Sequence, residues 1–182
     1  MSELIHQLQS MDLSPDRTSK EVNAEIAKFL EEYDYDIALI DHDRPWGGYT
    51  QLEDNNAPRF LATFFPGLSL EDAQNGNPEA KLTPKVIGVS PGERLSWQYH
   101  DRRAESWMYV TDGGYFRSLT DEPGVLQYAR AGEMVQMARA ERHRLVGAVG
   151  HYTIVAEAWQ HTDPEYPSTE ADITRLQDDY KR

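Results

Sequence analysis

Gln98 and His100 stand two residues apart in an aromatic run, so a strand there turns both side chains to one face. Glu105 follows after the length of a short turn, and His143 sits in a later run of similar texture. Two imidazoles, one carboxylate and one amide oxygen make a mixed nitrogen and oxygen set suited to one first-row divalent ion. With a single charged ligand, such an ion stays electrophilic enough to polarise a carbonyl or hydroxyl. Spacing alone does not single out that chemistry, because a His with a nearby Glu is common on protein surfaces. The chain has no cysteine, which excludes thiolate ligands, disulfides and cysteine nucleophiles.

The elements that must position these residues follow from pattern. Thr18 and Glu21 have capping-box spacing, and Val22, Ile26, Phe29 and Leu30 recur at helical intervals, predicting a helix from Thr18 to about Tyr33. Residues 1–40 read as a helical lead-in that packs on a barrel. After Ile40 the texture changes to short β-branched and aromatic runs between Gly, Pro, Asp and Asn. Strands are expected over 59–65, 85–90, 95–100, 106–111, 115–119, 133–137, 142–146 and 152–159. Such spacing fits a double-sheet jelly roll over 41–182, an all-β fold with an N-terminal helix. Residues 68–84, with QNGNPEAK at their centre, read as a surface loop. The polar end 169–182 is expected to form a short helix with Arg175 and Arg182, seven residues apart, on one face. Trp46, Trp97, Trp107 and Trp159 are expected in the barrel core.

Composition narrows the partners. A chain of 182 residues suits one domain, and 18 Lys plus Arg against 31 Asp plus Glu give a formal charge of −13. That balance argues against nucleic acid, whose phosphates need a basic face. No stretch approaches the roughly 20 apolar residues of a membrane span. The N-terminal residues lack a basic start followed by an apolar run, so a cytoplasmic location is expected. A homodimer is left open.

The segments around the four candidate ligands carry a resemblance. PGERLSWQYHDRRAESW (Pro91–Trp107) and GEMVQMARAERHRLVG (Gly132–Gly147) resemble the paired motifs of the cupins, with Gly92, Gln98, His100 and Glu105 on the first motif and Gly132 and His143 on the second. That resemblance implies a cupin double-stranded β-helix, a jelly-roll barrel holding one divalent metal. Zinc is the first choice, with manganese, iron, cobalt and nickel as alternatives, since mixed ligation discriminates poorly. RPWGGY (Arg44–Tyr49), the Pro91–Trp107 segment and DITRLQDDYKR (Asp172–Arg182) further resemble the cupin domain of type II phosphomannose isomerases. This family interconverts mannose 6-phosphate and fructose 6-phosphate. Arg44, Lys85, Arg103, Arg175 and Arg182 fall on positions that recur in its motifs. The chain departs from the pattern at Asp101, Arg102 and Ser106, and Gln177 stands where the family has a Glu, so the catalytic arrangement cannot be carried over whole.

The implied substrate is a small phosphorylated sugar. Aldose–ketose isomerisation moves a proton between C1 and C2 and needs a base, a polariser for the oxygens and cations for the phosphate. Lys85 and Glu157 are the candidate bases, with Arg103 beside them as a further catalytic candidate. Arg44, Arg142, Arg175 and Arg182 are the candidate phosphate donors, since guanidinium binds phosphate in a bidentate way. Two other outcomes stay open: a cupin epimerase or lyase on a related sugar, and a non-catalytic, metal-containing sugar-phosphate binder, which Gln177 would permit.

Overall fold

The computed structural model describes residues 2–181. Two capped helices lead in. Ser2 caps α1 (Glu3–Ser10), accepting from the Ile5 N–H. Thr18 and Glu21 close a reciprocal capping box on α2 (Ser19–Glu32). The apolar stripe Val22, Ile26 and Leu30 is buried, and it lies on the sheet that follows.

The strands are β1 (Ile37–Arg44), β2 (Gly47–Leu52), β3 (Leu82–Val89), β4 (Trp97–Tyr99), β5 (Arg103–Tyr109), β6 (Gly113–Ser118), β7 (Gln127–Ala129), β8 (Met134–Met137), β9 (Arg142–Gly147), β10 (Thr153–His161) and β11 (Thr174–Gln177), and two more helices, α3 (Ala57–Phe64) and α4 (Leu70–Ala73), lie between β2 and β3. They form two antiparallel sheets, ordered β1-β2-β3-β10-β5-β8 and β11-β4-β9-β6-β7. β1 runs across residue 40, so lead-in and barrel share a strand.

Strand alternation sorts two cores. On β10, Ile154, Ala156 and Ala158 face the helices, joining Phe60, Phe64 and Val86. Val155 between them faces the barrel interior with Trp46, Tyr49, Ile87, Trp107 and Leu145. The same alternation puts Glu157 inward and, on the paired strand β3, puts Lys85 inward beside it, since the two residues are register partners. Gly92 (φ +75°) and Gly132 (φ +87°) occupy the left-handed region in the turns before β4 and β8, where a side chain would be strained.

Three expectations need correction. The segment 59–65 is not a strand but lies mostly in α3. Pro58 sits in its first turn, and Ala57, Phe60, Leu61 and Phe64 bury one helical face, so the aromatic content concealed a helical period. Residues 68–84 are not all surface loop: α4 buries Ala73, whose carbonyl accepts from Gln160 Nε2 at 2.8 Å, and β3 begins at Leu82. The end of the chain is not a helix. A 3₁₀ turn at Glu170–Asp172 leads into β11, which pairs with β4 and places Arg175 opposite Gln98. Arg182 lies outside the described residues. Among those described, no helix is long and apolar enough to cross a membrane.

Candidate metal centre

β4 and β9 pair with Gln98 opposite His143, and His100 and Glu105 flank the turn from β4 to β5. These strands bring three acceptor groups together. His100 Nε2 lies 3.1 Å from His143 Nε2 and 3.0 Å from Glu105 Oε1, and His143 Nε2 lies 3.4 Å from Glu105 Oε2. All three residues are buried.

The protonation pattern explains why they converge. His100 Nδ1 faces the Asp172 carbonyl at 3.1 Å, and His143 Nδ1 faces the Glu141 carbonyl at 2.9 Å. A carbonyl only accepts, so each Nδ1 carries the proton and each Nε2 turns a lone pair toward the other. Burial holds His143 neutral, its pKa lowered to about 4 against the opposing pull of Glu105. Burial also works against ionising Glu105, yet the carboxyl is held well below its usual range, and the Arg103 guanidinium that donates to its Oε1 favours the charged form. Three acceptors with no proton to share are a donor set for a cation. Tetrahedral ligands at about 2.0–2.2 Å from one ion stand roughly 3.3 Å apart, close to the separations found here. The residues present fit a divalent ion.

Two neighbours shape the set. Arg103 donates from Nε to Glu105 Oε1 at 2.8 Å and from Nη1 to Ser168 Oγ at 2.8 Å, while its Nη2 lies 3.1 Å from His100 Nε2. Trp107 Nε1 donates to Glu105 Oε2 at 3.1 Å and to Glu157 Oε1 at 2.9 Å, tying the two carboxyl groups to one indole. Gln98 is buried with its Oε1 accepting from Ser96 Oγ at 2.6 Å, which turns the amide.

A cleft of about 470 Å³, open mouth included, extends from this set. Gln98, Glu105, Lys85, Glu157 and Trp159 line it, together with Arg44, Glu170 and Arg175. Glu157 accepts from Trp159 Nε1 at 2.8 Å as well as from Trp107, and its pKa is pushed up to about 8 by burial and by the charge of Glu105. Burial lowers Lys85, whose Nζ stands 3.5 Å from the Trp159 ring and 2.6 Å from Glu170 Oε1, the latter opposing the shift.

Of the candidate phosphate donors, Arg44 and Arg175 line the cleft and Arg142 does not. Its strand neighbour His143 points inward, so Arg142 points outward, where it pairs with Asp121 at 2.7 Å and covers the Tyr99 ring. The same rule disposes of Ser106. Next to inward Glu105, it bonds Gln160 on the far face at 3.3 Å. Sequence pattern gave no role to Glu170, Asp172 or His161, although the first two stand in or beside the DITRLQDDYKR motif. Trp159 and Trp107 are buried as expected but serve the site, one in its lining and the other as a shared donor.

No family model and no curated protein matches the sequence. Solved structures match in fold. The capsular polysaccharide assembling protein CapF from Staphylococcus aureus superposes with a TM-score of 0.50 at 12% identity, over 81% of this chain and 34% of that one. Oxalate decarboxylase from Bacillus subtilis gives 0.52 at 11% identity, over 79% and 30%. The fold is that of the cupins. The chain spans about a third of the length of each of those two proteins, and the likeness is one of fold alone. The finer resemblance to phosphomannose isomerases rests on the motifs.

Proposed function

We propose that the protein is a metal-dependent aldose–ketose isomerase of sugar phosphates, of the mannose 6-phosphate and fructose 6-phosphate type, acting in the cytoplasm. What carries the reading is one cleft that reaches the buried His–Glu–His set at Glu105 and is lined as well by the Glu157 carboxyl group and by inward cations. A divalent ion held by His100, Glu105 and His143, with Gln98 beside them, would supply a Lewis acid for the sugar oxygens. Glu157 is the base candidate next to that set, since it shares the Trp107 indole with Glu105. In this reading a Glu157 carboxyl oxygen moves the proton between C1 and C2, while the two indole donors hold it in place. Lys85, Arg44 and Arg175 receive the phosphate. Arg103 orients Glu105 and binds the end of the chain.

A coupled isomerase assay across hexose and heptose phosphates, with metal content measured on the same sample, tests this. Turnover abolished by chelation is expected. Glu157→Gln should lower kcat on the order of 100-fold or more while leaving metal content unchanged. The second reading is a non-catalytic sugar-phosphate binder, favoured by the uncharged Gln177 on exposed β11. It prevails if phosphosugars raise the melting temperature but none is converted.

A further inference from the structure

Lys85 is a deeply enclosed cation of the cleft, with its side chain 3% exposed, and Glu170 is the group that meets it, at 2.6 Å and 42% exposed. The pair is lopsided: the ammonium is locked between the rings of Trp159 and Tyr49, whereas the carboxylate reaches in from the solvent side. Glu170 sits between two anchors. Ser168 is held by Arg103 and by the ring nitrogen of His161, and Asp172 by the backbone of Arg102 and by His100. A side chain between fixed points can swing without unfolding the segment that carries it. Arg44 and Arg103 add positive charge around the same carboxylate, and Arg44 Nε is buried without a hydrogen-bond partner.

We propose that Glu170 is a built-in competitor for the anion site: its carboxylate occupies the cation cluster around Lys85, and the substrate's phosphate displaces it on binding. This deepens the isomerase reading and rests on its assignment of the cleft to a sugar phosphate. The consequence is selectivity by charge. A tethered carboxylate acts at an effective concentration in the millimolar range or above, so a free monoanion gains little by replacing it. A phosphate monoester carries about −1.5 to −2 at neutral pH and three acceptor oxygens, enough to engage Lys85 and an arginine together. Glu170 thereby filters against neutral sugars and simple carboxylic acids.

Calorimetric titration at constant ionic strength tests the proposal with inorganic phosphate and acetate as probes and full-length protein of measured metal content. The wild type is expected to bind phosphate at least tenfold more tightly than acetate. Glu170→Gln should tighten phosphate about tenfold and acetate by more, narrowing the ratio. Lys85→Met should lose phosphate binding and cancel the gain from Glu170→Gln in the double variant, which separates displacement at Lys85 from the general effect of removing a negative charge. Unchanged or weakened phosphate binding in Glu170→Gln overturns the proposal, as does a gain that survives Lys85→Met. Sugar turnover plays no part in these titrations, so an inactive protein that binds as described would end the isomerase reading and leave this one standing.

Discussion

At the scale of single residues, the metal set depends on which nitrogen of each imidazole holds a proton, and backbone carbonyls decide that. Replacing both His100 and His143 with Ala should leave Glu105 without its partner acceptors and abolish binding of a divalent ion; elemental analysis showing full occupancy in that double variant would sink the site. Trp107 offers a subtler test. Its indole N–H serves Glu105 and Glu157 together, so Trp107→Phe should weaken metal binding about 10–100-fold, as loss of an outer hydrogen bond does, while the ring still fills its place. Competition with a chromophoric chelator measures the change. The candidate ligands stood out through the resemblance of their two segments to the cupin motifs, since residue type and spacing alone did not single them out. Trp107's donation was not legible, because an indole in a strand pattern reads equally well as core.

Among the elements, the segment from Ser168 to Gln177 departs furthest from expectation. Its polar residues suggested a helix, but β4 has a free edge, and β11 supplies the missing ladder partner. Asp172 is the knot. Its carboxylate accepts from the Arg102 N–H at 3.0 Å, the Asp101 N–H at 3.3 Å and Ser168 Oγ at 2.6 Å, and its carbonyl faces His100. Asp172→Ala should therefore destabilise the protein by about 1–3 kcal/mol and loosen the segment. Urea unfolding gives the first quantity, and faster amide exchange confined to 168–177 checks the second; uniform exchange along the chain would contradict it. Deleting 169–182 removes the acceptor for His100 Nδ1 and should lower metal affinity as well as phosphate affinity.

For the whole molecule, the buried ionisable groups set the response to acid. His161 is buried, with Nε2 against Thr83 Oγ1 at 2.9 Å and Nδ1 accepting the Ser168 N–H at 2.9 Å. Burial lowers its pKa from 6.5 to about 4, with Arg103 acting the same way against Asp54. A depressed histidine binds its proton more readily when unfolded, so the stability it confers is complete above pH 6.5 and is lost as pH falls through 4. The fall is on the order of 3 kcal/mol. His161→Gln, which can keep the acceptor for Ser168, should flatten the stability curve between pH 6.5 and 4 in denaturant titrations. An unchanged slope would assign the acid response to other groups.

What the chain determined by itself was local and periodic. The capping box at Thr18 and Glu21, the turn glycines at 92 and 132, and the alternation that sends Glu157 to one face and Ala156 to the other depend on neighbours a few residues away, so they are written in order along the sequence. Of the four candidate ligands, Gln98, Glu105 and His143 sit at strand positions whose facing follows from period two, and His100 stands just past the end of β4. Only the tertiary structure decided the rest. α3 was mistaken for a strand because Phe60, Phe64 and Phe65 suit either element, and burial against α1 and the outer sheet face settles the choice. Arg142 looked equivalent to the inward cations until β9 fixed its facing through His143. Glu170 meets Lys85 across a separation of 85 residues. No local pattern encodes such a contact, because it exists only once the barrel closes and the end of the chain pairs along β4.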